Sequence, residues 1–142
     1  MIETRTAPYA ALLLRLALGV MFIAHGLLKL LVFTLPATVA FFQSVGLPGF
    51  LAYLTVFAEI AGGAALIVGF QVRWIAVALI PVLLGATWVH SGNGWLFTSA
   101  KGGWEYPAFL ALAALVQALL GAGALALSGD RASATRASLQ AA

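Results

Sequence analysis

The residues able to do chemistry are few, and most stand inside apolar runs. Arg15, His25 and Lys29 share the first run. Glu59 stands almost at the centre of a second, LAYLTVFAEIAGGAALIVGF, and His90, Glu105 and Gln117 belong to two more. A carboxylate at membrane mid-depth costs roughly 2.5–3.5 kcal/mol on insertion scales, so Glu59 must face protein, water, a ligand or a basic partner. By depth it falls between Arg15 and His25 and could pair with either. In one reading Glu59 is a proton-handling carboxylate, with His25 as relay or ligand. In the other, Arg15–Glu59 is an intramembrane ion pair that fixes packing, and His25 makes an interhelical hydrogen bond. Lys29, one turn beyond His25 on nearly the same face, is expected to snorkel to the headgroups. His90 would cap its helix end or hold the following loop. No metal-ligand spacing links His25, Glu59, His90 and Glu105. The two histidines stand at unequal depth, which disfavours a bis-histidine haem.

The elements that must position these side chains are membrane helices. The chain has 142 residues, 63% hydrophobic and only 8% charged, where soluble domains carry about 25% charge. Its mean hydropathy is +1.08. Seven basic side chains, unclustered, are too sparse for a nucleic-acid surface. The absence of cysteine excludes thiolate, dithiol and Fe–S chemistry by this chain itself. The first apolar run is too long for a signal-peptide core, contains Arg15 and lacks a small-x-small site, so no cleaved leader is expected.

The reading is a four-transmembrane-helix bundle of the all-α class, with residues 1–8 as an arm, 9–127 as the spanning domain and 128–142 as a polar, frayed tail. The first helix runs from Tyr9 to Val32, roughly 36 Å at 1.5 Å per residue. Between Pro36 and Pro48 the apolar Val39, Phe42 and Val45, beside Phe41, outline a short interfacial helix between helices one and two, or a plain loop. The second helix covers Leu51 to Gly69, where Gly69 makes a tight turn. The third covers Arg73 to His90, with Pro81 inside it. The Gly-rich loop 91–104 follows, then a fourth helix from Glu105 to Leu127 with Pro107 in its first turn. Small residues (Ala58, Gly62; Gly121, Ala122, Leu125) offer packing faces within one bundle or between protomers of a homo-oligomer.

Four spans place both termini and the 69–73 turn on one side, with Arg5, Arg15, Arg73, Arg131 and Arg136. The other side holds Lys29 and Lys101. The positive-inside rule then puts both termini in the cytoplasm. Trp88, Trp95, Trp104 and Tyr106 mark the outer interface, Tyr9 and Trp74 the inner one. The loop GNGWLFTSAKGGWEYP serves either as a lid, with Trp95, Trp104 and Glu105 covering an amphipathic ligand, or as a headgroup anchor.

LRLALGVMFIAHGLLKL, the GLP before helix two, AEIAGGAALIVGFQVRW, GNGW and GGWEYP together resemble the DoxX family of small four-helix bacterial membrane proteins. The ordered Arg15, Gly19, Gly26, Lys29 and Glu59-x-x-Gly62 carry the resemblance. It implies the four-helix fold and the bacterial inner membrane. It also implies a link to thiosulfate:quinone oxidoreductase and to membrane complexes handling sulfur and oxidative stress. On this basis the chain reads as the membrane component of an oxidoreductase system with a redox partner protein. A quinone would enter from lipid to meet His25, Glu59 and His90, with Arg15 and Lys29 among the ligand-binding residues. The alternative is a non-enzymatic scaffold or small-solute carrier, in which the same charges are packing devices or line a permeation site.

Overall fold

The structure is a computed structural model, and it describes residues 3–127; the expected tail from Ser128 lies outside them. The protein is an all-α membrane bundle. Helix α1 spans Ala7–Leu27 and passes without a break into a π-helical turn, Leu28–Val32. Helices α2 (Leu35–Ser44), α3 (Phe50–Val68), α4 (Val72–His90) and α5 (Glu105–Leu120) follow, with one 3₁₀ turn at Ser91–Asn93. Ala7–Val32, Phe50–Val68 and Val72–Asn93 are each long and apolar enough to cross a bilayer, and α5 is a shorter apolar helix. Tyr9, Leu13, Phe57, Trp74 and Leu119 are all more than 60% exposed. In a chain this apolar, such side chains face lipid.

Helix α1 packs mainly on α3, and α4 mainly on α5. Small residues make the first contact possible. A Cβ on Gly19 would stand 2.8 Å from the Gly63 carbonyl oxygen, and a Cβ on Gly63 would stand 2.8 Å from that of Gly19. The two backbones touch, as close helix packing in lipid requires. Gly26 plays the same part higher up, against Ile60 and the Glu59 Cβ.

Helix α3 ends as the sequence expects. Gly69 adopts φ 77°, its amide donates to Leu66 O at 3.1 Å, and the Phe70 amide donates to Ala65 O at 2.9 Å. This pair of bonds is a Schellman motif, which favours glycine at the left-handed position. The short turn makes α3 and α4 antiparallel neighbours. We call this end of the bundle the turn face and the opposite end, carrying α2 and the 91–104 loop, the loop face.

The fourth helix stops seven residues earlier than expected. It closes at Leu120, and Gly121 takes φ 82° with ψ −161°. Residues 121–127 instead cross the turn face as a strap. The Ala124 amide donates to Pro8 O and the Leu127 amide to Val68 O. Arg15 Nη1 donates to Ala122 O at 2.9 Å, and Arg73 Nη1 donates to Ala118 O at 3.2 Å and Leu119 O at 3.3 Å. The Arg73 guanidinium thus meets carbonyls at the negative end of α5, where a helix terminus favours cations, and Arg15 holds the strap that follows. The core fills the turn half with Leu66, Val72, Leu79 and Ala76, each 2% exposed or less.

Candidate functional site

Glu59 is buried in the middle of α3, and its partner is Lys29. The ammonium donates to both carboxylate oxygens, at 2.7 and 2.9 Å. The expected snorkelling of Lys29 therefore gives way to an ion pair, and the expected Arg15–Glu59 pair does not form. The reason is side-chain direction. Helical side chains lean toward their own N-terminus. In the antiparallel α1–α3 pair, Lys29 leans toward the turn face and Glu59 toward the loop face, so the two converge. Arg15 leans away from Glu59, into the strap at the chain's other end. It is 1% exposed, its Nη2 reaches Leu125 O at 3.4 Å, and its Nε has no partner among the described residues.

The π-helical turn that carries Lys29 is itself anchored. Thr38 of α2 donates its hydroxyl to Lys29 O at 3.2 Å and to Thr34 O at 2.9 Å. The stretch before α2 is strained: Thr34 holds φ 67° and ψ 151°, a region used almost only by glycine.

Between the α1–α3 pair and the α4–α5 pair, in the loop half, lies a cavity of about 930 Å³. Its wall includes Lys29, Glu59, His25, His90 and Tyr106, and is otherwise mostly apolar. Phe41, Leu54, Pro81 and Phe97 belong to the wall and are exposed, so the cavity is not fully enclosed. Helix α4 runs on through Pro81.

His25 donates Nδ1–H to Met21 O at 2.8 Å. A carbonyl can only accept, so in the neutral ring Nε2 is left as an acceptor. The His25 ring stacks on that of Tyr106, centroids 5.8 Å apart and planes at 27°. The Tyr106 hydroxyl is buried and has no hydrogen-bond partner among the described residues. Sequence reasoning placed Tyr106 only in the aromatic belt. Its position two residues before Ala108, in the first turn of α5, carries no motif that would single it out.

His90 ties the end of α4 to the loop. Its Nδ1 faces Lys101 O at 3.1 Å and Gly102 O at 3.2 Å, while Asn93 Nδ2 also donates to Lys101 O. Arg15, Trp95, Trp104 and Glu105 lie outside the cavity wall. The last three staple the loop. The Glu105 carboxylate accepts from the Phe97 amide at 2.8 Å, and the Trp95 and Trp104 rings meet edge to face at 4.5 Å. No cluster of three or more metal-ligating side chains occurs among the described residues.

Comparison with known proteins gives the chain its relatives. A Bacillus subtilis (strain 168) protein named "Putative oxidoreductase CatD" is 39% identical over 75 residues, 53% of this chain and 54% of that protein. The chain spans about half the length of the curated relative it matches. No solved structure matches it. The family model for DoxX matches residues 10–92, the stretch that contains α1 from Ala10 on, the π-helical turn with Lys29, Glu59 and the whole of α4. The chain with the Lys29–Glu59 pair belongs to the DoxX family.

Proposed function

We propose that the protein is an integral membrane subunit of an oxidoreductase system, and that its loop-half cavity takes the head of a quinone-like redox molecule. The observation that carries this reading is the cavity itself. It is mostly apolar, and its wall includes the Lys29–Glu59 ion pair, His25 and Tyr106. Ligand sites in general are concave, mostly apolar and supplied with a few convergent polar groups. The oxidoreductase naming of the Bacillus subtilis relative supports the same class. A bound quinone would supply the electron-accepting chemistry that a chain without cysteine lacks. His25 and Glu59 would act on it as hydrogen-bond and proton-carrying groups, Lys29 would hold Glu59 in place, and His90 would close the rim. Arg15 would position the strap, and Trp95, Trp104 and Glu105 would hold the loop over the site.

The packed turn half favours this reading over a solute carrier. Leu66, Val72 and Gln117 are fully buried below the cavity, which supports a site open at one end over a path through the bundle. The inner bacterial membrane, cytoplasmic termini and a redox partner protein belong to the proposal.

The test is thermal stabilisation of the purified protein by decylbenzoquinone, together with mass spectrometry of its organic extract. A ligand at 100 times its Kd adds about 2.7 kcal/mol to stability, which a melting curve resolves. Stabilisation that Glu59→Gln/His25→Ala abolishes supports the site. A melting curve unmoved by the quinone, with only bulk lipid in the extract, overturns it.

A further inference from the structure

We infer that Gly85 keeps open a slot between α3 and α4 through which the tail of a bound ligand leaves the cavity for the bilayer, so that the site takes long-tailed, membrane-dissolved molecules. This rests on the reading of the cavity as a site for a quinone-like molecule. The starting point is a glycine that packing does not account for. A glycine inside a helix weakens it relative to alanine. Gly19, Gly26, Gly62 and Gly63 each stand where an added Cβ would come 3.0 Å or less from a neighbour, and close helix packing explains them. A Cβ on Gly85, inside α4, would meet nothing within 4 Å. Gly85 is nevertheless half-buried and belongs to the cavity wall, so the open space beside it adjoins the cavity.

The place of Gly85 on α4 puts that space where the cavity face meets the lipid face. Pro81, one turn earlier on the same face, is in the wall and exposed, whereas Leu84 and Trp88, on the neighbouring stripe, are exposed and outside the wall. Helix α3 has the same edge. Leu54 is in the wall and 55% exposed, Ala58 follows one turn later, and the exposed Tyr53 and Phe57 lie outside the wall. The two helices meet where Leu79 sits on Gly62, whose added Cβ would stand 3.0 Å from a leucine methyl. Six residues toward the loop face from that contact come Val56 on α3 and Gly85 on α4, so Gly85 falls between the depths of Leu54 and Ala58. The two rims thus face each other at one depth, above a closed contact. The polar groups of the wall suit a ligand head. An alkyl tail leaving between these rims meets apolar side chains and keeps its remainder in lipid, away from water.

The experiment measures binding of decylbenzoquinone to the full chain in lipid nanodiscs, for the wild type and for Gly85→Leu, Leu54→Trp and Leu84→Trp. The first two fill the slot from opposite rims, and each is expected to weaken binding about fifteenfold, the worth of about two buried methylenes. Leu84→Trp, on the lipid face outside the wall, leaves binding unchanged. The ligand-free melting temperature of Gly85→Leu is expected to equal or exceed that of the wild type, because leucine is the better helix former and has room. Gly85→Ala replaces it in the comparison if leucine disturbs α4, and is expected to weaken binding about fourfold, the worth of about one methyl. Weakening from one rim alone, or from neither, in folded variants overturns the slot and leaves the cavity reading standing. Equal weakening by Leu84→Trp does the same. Failure of the quinone to bind the wild type overturns the cavity reading, and the slot with it.

Discussion

At the scale of single residues, the outcome turns on which way side chains lean. Depth counted along the helices places Glu59 between Arg15 and His25, and that count is sound for Cα positions. The carboxylate and the amine, however, each sit about a turn away from their own Cα, toward their own N-termini. In an antiparallel pair these displacements add, which brings Lys29 to Glu59 and carries Arg15 off to the strap. The chemistry-bearing residue types were therefore readable in the sequence, but their pairing was not, because it depends on a register set by Gly19 against Gly63. Tyr106 was hidden for a different reason: an interfacial tyrosine and a cavity tyrosine look alike in sequence. The pairing makes a sharp prediction. Removing one partner of a buried pair leaves an uncompensated charge and costs about 3–5 kcal/mol, whereas replacing both by apolar groups is often close to neutral. Lys29→Met is therefore expected to lower unfolding stability by about that amount, and Lys29→Met/Glu59→Leu to recover most of it. Equal losses in the single and double variants, measured by unfolding in mixed micelles, would show that the pair contributes nothing as a unit.

At the scale of elements, the helices follow the apolar runs, and the departures come from local chemistry that runs do not encode. The fourth run continues to Leu127 in hydropathy, yet α5 stops at Leu120. Gly121 and Gly123 permit positive φ, and Arg15 and Arg73 bond the last carbonyls of α5 and the strap. A hydropathy window registers none of this. Helix α1 ends in a π-helical turn, a feature frequent at functional sites, and α2 is docked on it by one threonine. Thr38→Val removes the hydroxyl bonds to Lys29 O and Thr34 O, so α2 is expected to dock more weakly by about 0.5–1.5 kcal/mol. Hydrogen exchange of the Phe41 and Phe42 amides should quicken while α3 stays protected; unchanged exchange would mean that apolar contacts alone hold α2. The α1–α3 seam predicts a second cost. Gly63→Ala drives a methyl into the Gly19 carbonyl, and overpacking of this kind costs about 1–3 kcal/mol. The same change at Gly85, which has open space around it, is expected to be harmless, and similar melting temperatures for the two variants would contradict the backbone contact.

At the scale of the whole molecule, the two faces differ in both build and charge. The turn face is compact, closed by the Schellman turn and the strap, and among the described residues it holds Arg5, Arg15 and Arg73. The loop face carries the cavity, α2 and the stapled loop, and of its two lysines Lys29 is spent on Glu59, leaving Lys101 on the surface. Basic residues are retained on the cytoplasmic side, so the turn face is expected inside and the cavity is expected to open toward the outer half of the bilayer. That orientation decides which aqueous phase exchanges protons with the site. Because the chain contains no cysteine, the point can be settled with single reporters. Thr98→Cys stands on an exposed part of the loop, and Thr6→Cys on the exposed segment before α1, where no side-chain cap is lost. In intact cells a membrane-impermeant maleimide should label Thr98→Cys and spare Thr6→Cys until the membrane is broken. The reverse pattern would place the cavity in the cytoplasmic half, and any proton released from Glu59 or His25 would then enter the cell.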